Sequence, residues 1–370
     1  MTKSFGRRTD VVLNMLPQGI TDKIHQAGTI SFARLMDLAL YSEHGYYSER
    51  VQIGRKGADF FTASQSPLFG MTLAAAIETK WQEWGEPPEL QVVEVGAGQG
   101  ELAETILSEL TASSRINHVS YCILERSAKL RQVQHERLEQ AALIGPAKVI
   151  WEDPVKDIPT IIIANEVLDA LPVEVVKKTH RGWELLSAGL NASNGLTWHW
   201  NEADRNAAAL ANEFINCPEG TVAEICLFYE STMAQVMDNY SAPVQALWFD
   251  YGIFKEEWEA GVRPEGTLRA YLNHEIVDPY THLFEADITA DANWTHAEAV
   301  SRKFGFSTEV ITQGNFLFRH DIMKRAVELQ QSEPTLLAGS RWTQQLKQLA
   351  LPGGMGDRFS VLICERSVAR

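Results

Sequence analysis

Residues 91–104 read Gln-Val-Val-Glu-Val-Gly-Ala-Gly-Gln-Gly-Glu-Leu-Ala-Glu, and no other stretch restricts the fold as much. An apolar run (Val92, Val93, Val95) enters a turn carrying Gly96, Gly98 and Gly100. The segment 101–110 then places its apolar residues at helical spacing. Strand, glycine turn and helix in that order form a βα unit whose backbone can approach a nucleotide-like ligand. A dinucleotide fingerprint would need its third glycine at 101, where the chain has Glu101. The spacing here is Glu-x-Gly-x-Gly-x-Gly, starting at Glu94.

That pattern resembles the first motif of S-adenosylmethionine (SAM)-dependent methyltransferases. A pyrophosphate needs backbone N–H groups at a helix N-terminus free of carboxylates. SAM has no phosphate but carries an ammonium, a sulfonium and a ribose diol. Carboxylates such as Glu94 suit its positive charges, and glycines let the backbone lie against it. A glycine turn alone also serves as a tight βα connection, so the rest of the chain must decide.

Downstream, strand candidates alternate with helices: 91–95, helix 101–112, 119–124, helix 127–142, 148–151 and 160–164. This alternation implies βαβ units and a parallel sheet. Upstream, helical spacing covers Val11–Leu16, Ile20–Ala27 and Phe32–Tyr41, the last with Ser31 as N-cap, and a further helix spans 67–84. After Pro172 the pattern changes to antiparallel candidates at 173–178, 183–188 and 196–200. Helix 203–216, strand 222–227, helix 230–239 and strand 245–249 follow. The last two strands are predicted at 307–311 and 359–364, with two helical stretches, 316–331 and 335–350, between them. The resulting expectation is an α/β, class I SAM-dependent methyltransferase with a Rossmann-like, mostly parallel seven-stranded sheet. A helical extension covers 1–60, and the domain 61–370 carries insertions at about 173–245, 253–300 and 313–356.

If 91–95 is the first strand, acids are expected at the ends of the next three. Glu125 follows Tyr-Cys-Ile-Leu, where a carboxylate can accept both ribose hydroxyls; the alternative is a helix-capping acid before Ser127. Glu152 and Asp153 follow the third strand, where the adenine amine would be met, or form an ordinary polar loop. Asn165 and Glu166 end the apolar run Thr-Ile-Ile-Ile-Ala, facing the methyl group in this architecture.

The segment 164–174 is where chemistry is expected. Methyl transfer is an in-line displacement, so the protein mainly positions the nucleophile and excludes water. A guanidinium nucleophile stays protonated at neutral pH and must be gripped by carboxylates in bidentate fashion. Glu166, Asp169 and Glu174 are the candidates. Glu166 and Glu174 are spaced like the two glutamates of arginine methyltransferases, while Glu174 could instead face solvent on an alternating strand.

Further motifs make the chain similar to the MidA-like family, whose mitochondrial members are protein-arginine methyltransferases assisting respiratory complex I assembly. They are Asp-Phe-Phe-Thr-Ala-Ser-Gln-Ser-Pro-Leu-Phe-Gly (59–70), Glu-Val-Gly-Ala-Gly-Gln-Gly (94–100), the 164–173 segment and Asp-Tyr-Gly (250–252). Gly-Thr-Leu-Arg-Ala-Tyr-Leu-Asn-His (266–274), Asp-Ile-Thr-Ala-Asp-Ala-Asn-Trp (287–294), Gln-Gly-Asn-Phe-Leu (313–317) and Met-Gly-Asp-Arg-Phe (355–359) complete the set. Two departures stand out: the family's Ser-Pro-Glu is displaced at 63–67, and Asp291 stands where a histidine often follows Thr-Ala. The resemblance implies a SAM-binding class I fold and methyl transfer to a protein arginine. The long insertions also suit two other readings, a non-catalytic assembly factor with a SAM-type fold or a small-molecule methyltransferase.

Charge and composition narrow the partners. With 48 acids against 33 bases, the net charge of −15 disfavours nucleic acid and suits a basic, arginine-bearing protein substrate. No apolar run approaches the ~20 residues of a membrane span, so no membrane insertion is expected. The start lacks a secretory apolar region, and four widely spaced cysteines suggest reduced thiols; together these predict a cytoplasmic protein. The ten histidines hold no metal-binding helix pair, the acids at 285–291 lack calcium-loop spacing, and no Gly-x-Ser-x-Gly elbow occurs, so neither a metal site nor a hydrolase is predicted. The helical N-terminus and the 316–350 segment could cap a substrate cleft or form a homodimer surface.

Overall fold

The computed structural model describes residues 16–49, 62–116, 118–145, 147–273, 275–333 and 335–367. The helix candidate Val11–Leu16, apart from its last residue, lies outside them, as do residues 59–61 of the 59–70 motif and His274. Contacts divide the chain into two units. A sheet unit comprises 61–168, 231–252 and 298–370, and a second unit comprises 1–60, 169–230 and 253–297.

In the sheet unit seven strands follow in chain order: β1 (Glu89–Val95), β2 (His118–Leu124), β3 (Lys148–Ile150), β4 (Thr160–Asn165), β5 (Val244–Ile253), β6 (Ser307–Thr312) and β7 (Phe359–Arg366). Their order across the sheet is β3-β2-β1-β4-β5-β7-β6. Pairings from β3 to β5 are parallel, and β7 runs antiparallel to both its neighbours. Strand order reverses between β1 and β4, and at such a switch point the carboxyl ends of the strands open a crevice. Between Thr160 and Asn165, β4 is apolar because it is covered on both faces; Ile161, Ile162 and Ile163 are fully buried. Burying each contributes about 2 kcal/mol.

Helices α1 (Pro67–Glu83), α2 (Glu101–Ser113) and α3 (Ala128–Gln140) cover the sheet. Leu102, Ile106, Leu107 and Leu110 of α2 join Leu68, Leu73 and Ile77 of α1 in one core. Phe249 of β5 packs edge-on against Phe69 and Phe316, with ring centres 5.3 and 5.1 Å apart. The predicted helix 316–331 is instead two, Gln313–Arg319 and Ile322–Ser332, because Asp321 takes a left-handed backbone (φ 61°) that interrupts the i→i−4 ladder.

Two of the family motifs are close-approach devices in this unit. A Cβ on Gly314 would lie 2.4 Å from the Ala350 carbonyl oxygen, and one on Gly356 would lie 2.3 Å from the same carbonyl's carbon. Gly314 N–H donates to the Gly356 carbonyl at 2.9 Å, and the Gln313 amide donates to Leu349 O at 2.9 Å. The segments 313–317 and 350–356 therefore need glycine for packing rather than for ligand contact.

The second unit holds antiparallel strands Glu174–Thr179, Gly182–Leu190, Leu196–Glu202 and Val222–Ile225, with Ile30–Ser31 on the edge. Ser31 caps the helix Phe32–Tyr41 by accepting from Arg34 N–H at 3.3 Å, the cap expected from sequence. Trp183, Ala207, Ala211, Ile215, Ala223 and Trp258 form its core. The segment 253–300, for which the sequence pattern predicts only an insertion, carries a three-stranded sheet of Arg269–Leu272, Glu275–Val277 and Asp287–Thr289. Those strands are too short to show a readable alternation. All four cysteines are free and buried, Cys122 and Cys364 in the sheet unit, Cys217 and Cys226 in the other.

Candidate active site

The glycine turn after β1 is shaped by three left-handed residues, Gly96 (φ 67°), Gly98 (φ 53°) and Gly100 (φ 84°). Gly96 N–H donates to Leu124 O at 2.9 Å, holding the turn against the end of β2, and Gly100 N–H donates to Ala97 O at 2.8 Å. A Cβ on Gly98 would meet no atom within 4 Å, so that turn faces open space. A Cβ on Gly96 would stand 3.4 Å from Val167 Cγ2, which places the loop after β4 beside the turn.

Glu94 is buried and accepts a 2.7 Å hydrogen bond from Tyr121 Oη on β2. Burial pushes its carboxyl up to about 7, opposed by the Tyr121 bond and reinforced by the nearby Glu101 and Glu125 charges. Three acids thus surround one glycine turn, a concentration of negative potential that suits a cationic ligand. Glu101 and Glu104 in the first turn of α2 also bind Arg137 of α3, at 3.2 and 2.8 Å. This clamp ties the two helices behind the turn and sets carboxylates where a pyrophosphate would need none.

Both carboxylate oxygens of Glu125 are engaged at the end of β2. Its Oε1 accepts at 2.8 Å from the N–H of Ser127, the residue that caps α3 by accepting from Leu130 N–H, while Oε2 accepts from Gln134 Nε2 at 3.3 Å. Burial pushes its carboxyl above the usual glutamate range, and the Ser127 and Gln134 bonds work against that rise. Gln134 was not legible as a site residue. It is fully buried, also donates to Gly98 O at 2.8 Å, and accepts from Trp151 Nε1 at 3.0 Å. Its signal in the sequence is position alone: Leu130, Gln134 and Leu138 form the buried stripe of α3, and a glutamine there requires partners.

Glu152 and Asp153 follow β3 with exposed side chains; the Glu152 carbonyl accepts from the Cys122 thiol at 2.9 Å. Asn165 ends β4 and donates to Glu166 Oε1 at 3.1 Å, while its own Oδ1 is buried with no hydrogen-bond partner among the described residues. Glu166 takes a left-handed backbone (φ 55°), unusual for a residue with a Cβ, and its N–H donates to Phe249 O at 2.9 Å. The buried Asp250 of the Asp-Tyr-Gly motif explains how this bend is held. Its Oδ2 accepts from Leu168 N–H at 3.0 Å, its Oδ1 from Tyr251 N–H at 2.9 Å. Asp250 is thus a second residue whose role the sequence pattern alone does not disclose.

The sheet unit therefore brings Glu94, Gly96, Gly98, Gly100, Glu125, Asn165 and Glu166 to the carboxyl ends of adjacent strands. Asp169 and Glu174 fall in the second unit. Asp169 is buried, and its carbonyl accepts from Ala290 N–H at 3.0 Å. Glu174 is buried rather than facing solvent, and its carboxylate accepts from Ala33 N–H at 3.2 Å at the start of helix Phe32–Tyr41. Also in that unit, the buried Glu224 accepts from Thr267 N–H and Oγ1 at 2.8 and 2.9 Å, and burial pushes it up to about 7 against those bonds. Gly266 is required beside it, because a Cβ there would lie 2.2 Å from Glu224 Oε1. The departure at Asp291 has a partner of its own: it pairs with Arg269 at 2.7 Å.

The donor set fits SAM. Around a turn open at Gly98, Glu94 would offer a carboxylate to a cation, Glu125 acceptors to a diol, and the Asn165 oxygen an acceptor to a hydrogen-bond donor.

A family model for S-adenosyl-L-methionine-dependent methyltransferases matches residues 72–312. This chain belongs to that family, the MidA-like methyltransferases. The methyltransferase is 26% identical to the mitochondrial protein arginine methyltransferase NDUFAF7 of Danio rerio, over 92% of this chain and 84% of that one. It is 27% identical to the Homo sapiens protein of the same name, over 91% and 80%. Among solved structures it resembles a superfamily member from Burkholderia thailandensis bound to S-adenosyl-homocysteine, with 27% identity and a TM-score of 0.82 over 95% of this chain and 92% of that one. The cytoplasmic placement expected from the sequence is overturned by these relatives, which are named as mitochondrial. The absence of a readable secretory signal did not discriminate between those compartments. Among the described residues, no helix is long and apolar enough to cross a membrane.

Proposed function

We propose that this methyltransferase methylates an arginine side chain of a protein substrate, with Glu166 as the carboxylate that grips the guanidinium. The observation that carries the reading is the bend at Asn165-Glu166, held in a left-handed conformation at the end of β4 and set beside the glycine turn through Val167. A backbone held there against its preference, at a cost of about 1 kcal/mol, is a common mark of a positioned functional side chain.

When bound, SAM supplies a sulfonium methyl open to in-line attack. The chain's residues do the rest. Glu94 offers charge to the cationic end of the cofactor and Glu125 accepts from its ribose. Gly96 and Gly98 admit the backbone to close contact, and Glu152 and Asp153 stand at the end of the adjacent strand. Glu166 orients a guanidinium by paired hydrogen bonds, focusing its nucleophilicity on one nitrogen while it stays protonated. Glu174 is assigned to the N-terminus of helix Phe32–Tyr41 rather than to chemistry, since Ala33 N–H already occupies it. The relatives named as protein arginine methyltransferases and the net charge of −15 support a basic protein over nucleic acid as substrate.

The test is transfer of radiolabelled methyl from SAM into a protein extract depleted of this enzyme, with acid hydrolysis of the labelled band. Label in methylarginine supports the reading. Label in another residue, or only in small molecules, sinks the arginine assignment.

A further inference from the structure

We propose that Gln134 is the positioning residue that confers recognition of the cofactor's ribose, acting through Glu125. Its amide reaches three strand-end loops at once. Nε2 donates to Gly98 O in the turn after β1 (2.8 Å) and to Glu125 Oε2 after β2 (3.3 Å), and Oε1 accepts from Trp151 Nε1 after β3 (3.0 Å). Both amide hydrogens and one acceptor lone pair are thereby used, in a side chain with no solvent exposure.

A purely structural account is weaker. The position lies between Leu130 and Leu138 on the buried stripe of α3, where leucine would bury well and need no partner. What only the amide supplies is a direction for Glu125. Ser127 N–H holds Oε1 and the Arg126 backbone also donates to this carboxylate, but both bonds come from the adjoining turn and none reaches it from the neighbouring strand-end loops. The Gln134 bond fixes the second oxygen and sets the carboxylate plane, so its remaining lone pairs are aimed before any ligand arrives. Preorganisation of this kind lowers the ordering cost of binding and sharpens discrimination. The same amide ties that carboxylate to the glycine turn, so the two loops hold a common register.

The inference rests on reading Glu125 as the ribose acid, and the experiment separates the two. The affinity of the full chain for S-adenosyl-homocysteine, and for an analogue whose ribose lacks both hydroxyls, is measured by calorimetry in wild type, Gln134→Met, Gln134→Glu and Glu125→Gln. Gln134→Met keeps volume and removes every bond; Gln134→Glu keeps an acceptor for Trp151 but loses the donors. Expected is a loss of about tenfold or more for S-adenosyl-homocysteine in both variants, with the preference for the intact ribose collapsing as it does in Glu125→Gln. A merely structural role would weaken both ligands alike and leave the preference intact, which overturns the proposal. Should Glu125→Gln itself keep the preference, the ribose reading of Glu125 fails, and the role of Gln134 fails with it.

Discussion

Tyr121 Oη donates to the Glu94 carboxylate across 2.7 Å, and both side chains are buried between adjacent parallel strands. The bond gives the acid a fixed direction but does not overcome its burial, which leaves the carboxyl up at about 7. A group that must be anionic to meet a cation is therefore half protonated near neutral pH before the cofactor arrives.

Affinity for SAM should accordingly rise with pH between 6 and 8. Below pH 7 it should fall by up to about tenfold per pH unit, since only the ionised fraction binds. Glu94→Gln should bind more weakly and show no such dependence. Calorimetric titration at five pH values reads this directly.

Stability should run the other way. Glu94 and Glu224 are both raised from 4.5 to about 7 by burial, so the folded state holds their protons more tightly than the unfolded chain does. Their contribution is fully present below about pH 4.5 and is lost as pH rises through 7, by an amount on the order of a few kcal/mol for each. Glu224→Gln keeps an acceptor for Thr267 and should flatten the slope of the denaturant midpoint between pH 5 and 8. An unchanged slope would remove Glu224 from the titration.

For Glu166 the expectation splits activity from binding. Glu166→Gln should lower turnover by at least about a hundredfold, while leaving S-adenosyl-homocysteine affinity within a factor of about three. Glu166→Gly should be equally inactive yet more stable by about 1 kcal/mol, because glycine relieves the left-handed strain. Single-turnover methyl transfer and thermal melts on the same preparations test both halves.

Two glycines should respond differently to alanine. Gly98→Ala adds a methyl group that meets nothing within 4 Å, so only the left-handed backbone opposes it, at about 1 kcal/mol. Gly266→Ala drives a methyl group to 2.2 Å from the buried Glu224 carboxylate at φ 83°. It should destabilise by about 3 kcal/mol or more. Chemical denaturation of the two variants should separate them clearly.

The parallel sheet was readable because β1, β2 and β4 are apolar runs followed by punctuation: Gly96, the Ser127 cap, and the Asn165-Glu166 bend. The second unit was less readable. Arg269–Leu272 and Asp287–Thr289 are held by pairing across the chain, and a strand of three or four residues has no periodicity to detect. At the site, the acids were visible by type and distance from the glycines. Their supports, Gln134, Tyr121 and Asp250, were not, because each works through contacts distant in sequence. The break at Asp321 escaped for a related reason: its flanks both have helical spacing, and only the left-handed φ separates them.

The placement of the four thiols gives the molecule a pair of internal clocks. Cys122 and Cys364 can meet a thiol reagent only when the sheet unit opens, and Cys217 and Cys226 only when the other does. Burial also pushes Cys122, Cys226 and Cys364 up to about 12, so labelling waits on exposure rather than on chance ionisation in the closed state. Following the labelling of each cysteine by mass spectrometry, with and without cofactor, would report which half a ligand holds shut and which it leaves free to breathe.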